Sequence, residues 1–312
     1  PIWHPEIEDI LVLKNNKGTE DNRVRRMDYS IQISKLFYER FMNEGDITLI
    51  SPHMAPGLYE AFGTEEFDDL YLKYEADKTI PKKTVPAQDL FFDLLKERAE
   101  TGRIYIMNLD HCNSHSSFKD KVSMSNLCQE ITLPTTPIQH PDDDQGEIAL
   151  CILSAVNVGA LNDLSELDNI CDLSVRALEQ IIDYQDYPVK AAEVSTKKRR
   201  SLGIGYIGLA HYLAKNGAKY SDPKAWELVD RLSEAFQYHL LRASCDIAKE
   251  KGKCEGFERT KYADGLLPID HYKKEVDEIV PHKQRMAWES LRKDIAKYGL
   301  RHSTLSAQMP SE

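Results

Sequence analysis

The apolar positions of this chain recur in two rhythms. Between Ala87 and Glu100, Leu90, Phe91, Leu94 and Leu95 fall three and four apart, and Thr101-Gly102 closes the run. That spacing predicts a helix stopped by a left-handed glycine. The same rhythm predicts a helix over Asn169 to Tyr184, with Ile170, Leu173, Ala177, Leu178 and Ile181 on one stripe. A longer helix is expected over Ser221 to Lys251, opened by Ser221-Asp222-Pro223 and closed near Gly252, with Leu232, Phe236, His239 and Leu240 on one face. Further helical spacing spans Tyr29 to Phe41 (Ile33, Leu36, Phe37), Glu65 to Lys73, and Pro281 to Tyr298, where Trp288, Leu291 and Ile295 are the expected buried residues. The second rhythm is the short apolar run. Asp46 to Ile50, Arg103 to Leu109, Leu202 to Leu209 and Leu300 to Ala307 read as strands. Ile148 to Val156 lacks polar alternation and is expected as a fully buried strand. Lys14 to Gly18, Tyr74 to Pro86, Asp110 to Lys121 and Pro134 to Gln145 are polar and read as turn, spacer, loop and surface segment. Helices alternating with apolar strands point to an α/β architecture. No internal repeat or composition break marks a domain boundary.

Composition narrows the function classes. With 51 acidic against 40 basic residues the formal charge is -11, which argues against a nucleic-acid surface. The one basic cluster, Lys197-Lys198-Arg199-Arg200, is short, and an apolar stretch follows it. It is expected at the mouth of a strand. The longest apolar candidate, Ile148 to Leu161, is interrupted by Ser154 and Asn157 and is too short to span a membrane. Pro1-Ile2-Trp3-His4-Pro5 does not open a signal peptide. Six cysteines without tight pairing fit a reducing cytoplasm, where a disulfide is transient and catalytic. A start without Met and a stop at Pro310-Ser311-Glu312 lead us to expect a piece of a longer protein.

The stretch Ser125-Asn126-Leu127-Cys128-Gln129-Glu130 carries the candidate chemistry. It sets an amide, a thiol and a carboxylate at alternate positions before an extended segment, Ile131 to Leu133. Alternate positions of an extended chain face one side, so Asn126, Cys128 and Glu130 are expected to share a space. A thiol beside a carboxylate and a neutral hydrogen-bonding group can do redox or radical work. The competing account is a free cysteine acting as a small hydrophobe beside a solvated glutamate. Gly203-Ile204-Gly205-Tyr206-Ile207-Gly208 matches a dinucleotide fingerprint, but the run before it is polar and basic, so glycines that let a core strand approach its neighbours are the better account. His111, Cys112 and His115 have near-metal chemistry without a second ligand pair at the usual spacing, and no metal is expected. Nothing singles out Cys171, Cys245 or Cys254.

Taken together, several stretches resemble the large, catalytic subunit of class I ribonucleotide reductase. They are Asn126-Leu127-Cys128-Gln129-Glu130, Glu147 to Asn157 around Cys151, Gly102 to Asn113, Arg200 to Gly205, and Leu300 to Leu305 running into Met309-Pro310-Ser311-Glu312. The matches run in order over nearly the whole chain. The resemblance implies part of a ten-stranded α/β barrel made of two five-stranded halves, with a reactive finger loop through its centre. Residues 1-312 would be the C-terminal part of that catalytic domain, incomplete at both ends. It also implies roles. Cys128 carries a thiyl radical, Glu130 takes a proton from the ribose 3'-hydroxyl, and Asn126 holds the ribose hydroxyls and the carboxylate in register. Cys151 is one of the two reductant cysteines. Leu127 and Gln129 complete the substrate-binding loop. Pro310, Ser311 and Glu312 begin the segment that binds the substrate diphosphate, cut off here before the expected hydroxyls.

The implied substrate is a ribonucleoside diphosphate. The implied partners are a metal-containing small subunit that generates the radical, thioredoxin or glutaredoxin as electron donor, a second copy in a homodimer, and the missing N- and C-terminal segments. ATP and dNTP effectors would bind elsewhere in the full subunit, and no cofactor is expected on this segment. Alone, the segment is expected to be silent. Alternatives are a catalytically silent half of a split subunit that acts through association, a different thiol oxidoreductase such as a Rossmann-type enzyme, and a vitamin-B12-dependent relative.

Overall fold

The computed structural model describes residues 1–310 except 16, 18, 25, 281 and 282. The backbone forms two compact units, Pro1–Ser114 with Lys121–Gln129, and His115–Asp120 with Glu130–Glu312.

In the first unit, helix α1 (Ile7–Leu11) precedes strand β1 (Tyr29–Ile33) and helix α2 (Lys35–Met42). Strand β2 (Asp46–Ile50) is followed by helices α3 (Leu58–Ala61) and α4 (Phe67–Ala76). Strand β3 (Lys82–Pro86) then leads into helix α5 (Ala87–Thr101), strand β4 (Ile104–Asn108) and helix α6 (Leu109–Ser114). β1 and β4 pair in parallel with Ile31 opposite Ile106, and β2 and β3 pair antiparallel with Thr48 opposite Thr84. The core gathers Trp3, Phe37, Phe62, Phe67, Tyr71 and Leu94, with Trp3 edge-on to Phe62 at 5.6 Å. Helix α5 ends at Gly102 with φ 65°, the left-handed stop expected there.

Three expectations for this unit need correction. The segment from Tyr29 is a strand before it is a helix. Ile31 and Ile33 alternate inward against β4, Ser34 stays extended, and the helix begins only at Lys35. The polar spacer ends in β3, whose residues are half-exposed or exposed; such a strand needs no apolar alternation, so its sequence does not announce it. The polar loop after Leu109 starts as α6, and Asn113 ties it to Val122 by accepting from Val122 N–H (2.8 Å) and donating to Val122 C=O (3.0 Å).

In the second unit, β5 (Ile152–Asn157) and β6 (Leu202–Ile207) pair in parallel, Ile152 opposite Leu202. Between them lie helices α7 (Glu166–Tyr184) and α8 (Lys190–Arg199), and after β6 come α9 (Leu209–Lys215), α10 (Pro223–Lys251), α11 (Pro268–His271) and α12 (Trp288–Tyr298). Asp222 and Pro223 open α10 and Gly252 closes it, as the pattern predicts. Trp288, Leu291 and Ile295 are buried as expected; Pro281 lies outside the described residues. Cys171, Cys245 and Cys254 are buried.

Here too the structure amends the pattern. β5 is shorter than Ile148 to Val156 and covered on one face only: Val156 is buried while Leu153 is 52% exposed. An unbroken apolar run does not say how many faces are covered. The buried stripe of α7 is Leu167, Cys171, Val175, Leu178 and Ile182, so the expected stripe is rotated and Leu173 is 58% exposed. Leu300 to Ala307 is extended but irregular. It runs beside β6 through Leu202 N–H to Thr304 C=O (3.0 Å), Ile204 N–H to Leu305 C=O (2.8 Å) and Ala307 N–H to Ile204 C=O (3.2 Å). The basic cluster ends α8 at the mouth of β6, as expected, but its two arginines are buried. Arg199 is buried against Glu147 (2.5 Å) and Asp120 (3.0 Å), and Arg200 against Glu179 (2.8 Å) and Asp183 (2.8 Å).

Candidate active site

In the second unit the site is built on a strip of β6 that carries no side chains. Gly203 and Gly205 stand two residues apart and therefore on one face. A Cβ added at Gly203 would lie 2.5 Å from Cys151 Sγ and 2.7 Å from Leu153 Cδ2. One at Gly205 would lie 2.5 Å from the Ala307 carbonyl oxygen and 2.6 Å from Met309 Sδ. The thiol thus rests on the first bare position and the chain at 307–309 on the second. Sequence reasoning foresees the close approach at these glycines but misses Met309; its only signal is the alternation of glycines inside an apolar strand.

One end of this floor, where β6 and the 300–307 run begin, is fixed by polar anchors. Ser303 N–H donates to Arg199 C=O (3.0 Å), and the Ser201 and Ser303 hydroxyls share a hydrogen bond (3.0 Å). Buried Glu179 accepts from Arg200 Nε (2.8 Å), Arg301 Nε (2.8 Å) and His302 Nε2 (3.0 Å). Burial alone would raise its pKa, but the bonds from His302, Arg200 and Arg301 outweigh this and hold it down at about 2.

Cys151 immediately precedes β5 and is half-buried. Burial, and secondarily the charge of Glu130, push its thiol up to about 12, so at neutral pH it keeps its proton. Such a thiol is a poor thiolate nucleophile and a suitable source of a proton and an electron together. Glu130 is half-buried, and its Oε2 is buried with no hydrogen-bond partner among the described residues. A carboxylate oxygen left in that condition has a vacant acceptor position for a hydroxyl proton.

Asn126, Leu127, Cys128 and Gln129 belong to the first unit. They form a turn, not the extended arm expected. Gln129 N–H donates to Asn126 C=O (3.2 Å), the Gln129 side-chain amide donates to the same oxygen (3.0 Å), and Gln129 adopts φ 68°. Cys128 and Leu127 are exposed at its tip. Nor is Ile131 to Leu133 a strand; it is irregular, with Leu133 buried. The alternation argument for a shared face therefore fails at Gln129, where the backbone turns left-handed. Pro310 is exposed just beyond Met309, and Ser311 and Glu312 lie outside the described residues.

The other candidates separate. Gly203 and Gly205 sit within β6 and helix α8 precedes them, so the glycine run lacks the strand-then-glycine order of a dinucleotide site. His111 and Cys112 lie on α6 and His115 in the second unit, where its ring bonds to His271 C=O. Among the described residues no group of three metal-ligating side chains gathers.

Comparison with known proteins places the sequence in a family. Residues 1–312 match the family described as ribonucleotide reductase, barrel domain. The chain is 57% identical to the ribonucleoside-diphosphate reductase subunit alpha of Haemophilus influenzae, over all of this chain and 42% of that protein. It is 54% identical to the ribonucleoside-diphosphate reductase 1 subunit alpha of Escherichia coli, and 44% identical to the subunit alpha of Enterobacteria phage T4, again over 42% of each. The chain spans about two fifths of the length of these curated relatives.

Proposed function

Because the chain belongs to the ribonucleotide reductase barrel-domain family, we propose that it is the part of a ribonucleoside-diphosphate reductase large subunit that removes the 2'-hydroxyl of a ribonucleoside diphosphate. Its strands would be part of a ten-stranded barrel, with the turn at Asn126 to Gln129 as the central finger loop. The observation that carries this reading is the Cys151 thiol seated on the bare Gly203 position of β6, in the same unit as Glu130, whose Oε2 is buried without a hydrogen-bond partner among the described residues.

Each residue then has one task. Cys128, as a thiyl radical, takes the hydrogen from ribose C3' and becomes a thiol. Glu130 accepts the 3'-hydroxyl proton, directly or through one water, which eases loss of the 2'-oxygen as water. Asn126 orients the ribose hydroxyls, since an amide can donate and accept but is not a strong base. Cys151 and a second thiol of the longer subunit lose two electrons and two protons and close a disulfide. Glu130 gives its proton back to the 3'-oxygen, and Cys128 finally returns its hydrogen to C3' and regains the radical. Leu127 and Gln129 line the loop, and Pro310, Ser311 and Glu312 begin the diphosphate site. The radical would come from a metal-containing small subunit and the resetting electrons from a thioredoxin-like donor. The full subunit would work as a cytoplasmic homodimer.

The test is made in the full-length subunit reconstituted with its radical partner. Cys128→Ala is expected to abolish reduction, at least about 10⁴-fold since the hydrogen-abstracting atom is removed, while equilibrium binding of substrate persists. Retained turnover would rule out the thiyl assignment.

A further inference from the structure

We infer that Gly203 and Gly205 are positioning residues, which set the depth at which Cys151 presents its thiol and at which the 307–309 segment crosses the floor of the site. The inference deepens the proposed function and rests on its reading of Cys151 as a reductant.

Two glycines at alternate positions of a largely buried strand weaken that strand relative to alanine. What occupies the vacated space here is specific. From one flank Cys151 Sγ stands 2.5 Å from where a Gly203 Cβ would be. From the other, the Ala307 carbonyl oxygen and Met309 Sδ stand 2.5 and 2.6 Å from where a Gly205 Cβ would be. Ordinary non-bonded contact lies at about 3.5–4.0 Å, so any side chain at position 203 displaces the sulfur by about 1 Å or turns it to another rotamer. Leu153 Cδ2, also in the way at 2.7 Å, is the end of a flexible chain and can swing aside. The thiol has less freedom. It is one bond from Cβ, and the residue after it is held in register opposite Leu202. At position 205 the obstacle includes backbone, which cannot rotate away.

This matters for the chemistry because the step assigned to Cys151 has narrow tolerance. Two thiols give up two protons and two electrons, an S–S bond of about 2.05 Å forms with a defined dihedral, and the ribose loses its 2'-oxygen as water. A sulfur displaced by about 1 Å can still be a buried thiol and yet be badly aimed. The two glycines should therefore separate in kinetics. Gly203 controls the aim of the reductant, and Gly205 controls the placement of a backbone segment that leads into the proposed diphosphate site.

The experiment uses the full-length subunit, reconstituted with its radical-generating partner and assayed at steady state with a small dithiol in excess as electron donor. Gly203→Ala is expected to lower the rate of product formation about 100-fold with KM changed less than about twofold. Gly205→Ala is expected to raise KM about tenfold, with the smaller effect on kcat. Cys151→Ser serves as reference. If Cys151→Ser is inactive while Gly203→Ala turns over like the parent, the positioning role is overturned and the reading of Cys151 stands. If Cys151→Ser itself sustains multiple turnover, the reading of Cys151 has failed and the inference falls with it. Should Gly203→Ala not fold, Gly203→Ala with Cys151→Ala decides: recovery of the fold assigns the vacated space to the sulfur, and continued misfolding assigns it to other neighbours and overturns the inference.

Discussion

At the scale of single residues, one buried carboxylate, Glu179, gathers a cluster of charge. Its side chain is 1% exposed and holds Arg200, Arg301 and His302 together at the start of β6 and of the 300–307 run. Glu179→Gln keeps the volume and removes the charge, leaving the buried Arg200 and the half-buried Arg301 guanidiniums short of a partner. Stability should fall by about 3–5 kcal/mol, read as a lower denaturant midpoint; an unchanged midpoint would show the cluster to be dispensable. The pH sign follows from the depressed pKa. The carboxylate goes from 4.5 in the unfolded chain to about 2 in the fold, so its contribution is present above pH 4.5 and is lost as pH falls toward 2. The Gln variant should lack that part of the acid decline. None of this is legible in the sequence: Lys197 to Arg200 reads as a basic tetrad, and Glu147 and Glu179, which neutralise its two arginines, lie 52 and 21 residues away.

At the scale of elements, long helices were legible because cap and period agree. α5 and α10 fall where Gly102 and Asp222-Pro223-Gly252 place them. Elements defined by partners were not. β3 has a polar sequence and exists because β2 lies beside it, and α7 carries apolar residues on two sides, of which only the packing selects one. A related device completes β2. The Tyr71 hydroxyl on α4 donates to Thr48 C=O (2.7 Å) and accepts from Thr48 N–H (2.7 Å), so a helix side chain satisfies the strand position that β3 does not. Tyr71→Phe leaves both buried backbone groups unpaired and should cost about 2–4 kcal/mol, seen as faster amide exchange at Thr48 and a lower melting temperature. Amide exchange at Thr48 as slow as in the parent would refute that account.

For the whole molecule, the candidate site was legible as a set of residue types but not as a geometry. The division between compact units falls between Gln129 and Glu130, inside the motif itself, and no composition change marks it. The second unit also carries an alkaline liability. Burial, the leading cause in each case, raises Cys151 and Cys171 to about 12 and Cys245 and Cys254 to about 11, from 9.0. Between pH 9 and 12 the folded protein retains protons that the unfolded chain releases, so these thiols leave stability untouched below pH 9 and lower it above. Denaturant midpoints measured from pH 8 to 11 should be level and then decline, with a shallower slope in Cys245→Ala; an identical slope would remove that thiol from the explanation. The turn that ends the first unit bears on how any such variant is interpreted. Its latch runs from both donors of Gln129 to one oxygen of Asn126 and does not use the side chain between them. Exchanging the thiol of residue 128 for a hydroxyl or a hydrogen therefore changes the reagent while the mount stays closed, and lost turnover in such an exchange reports on the element removed, not on a collapsed loop.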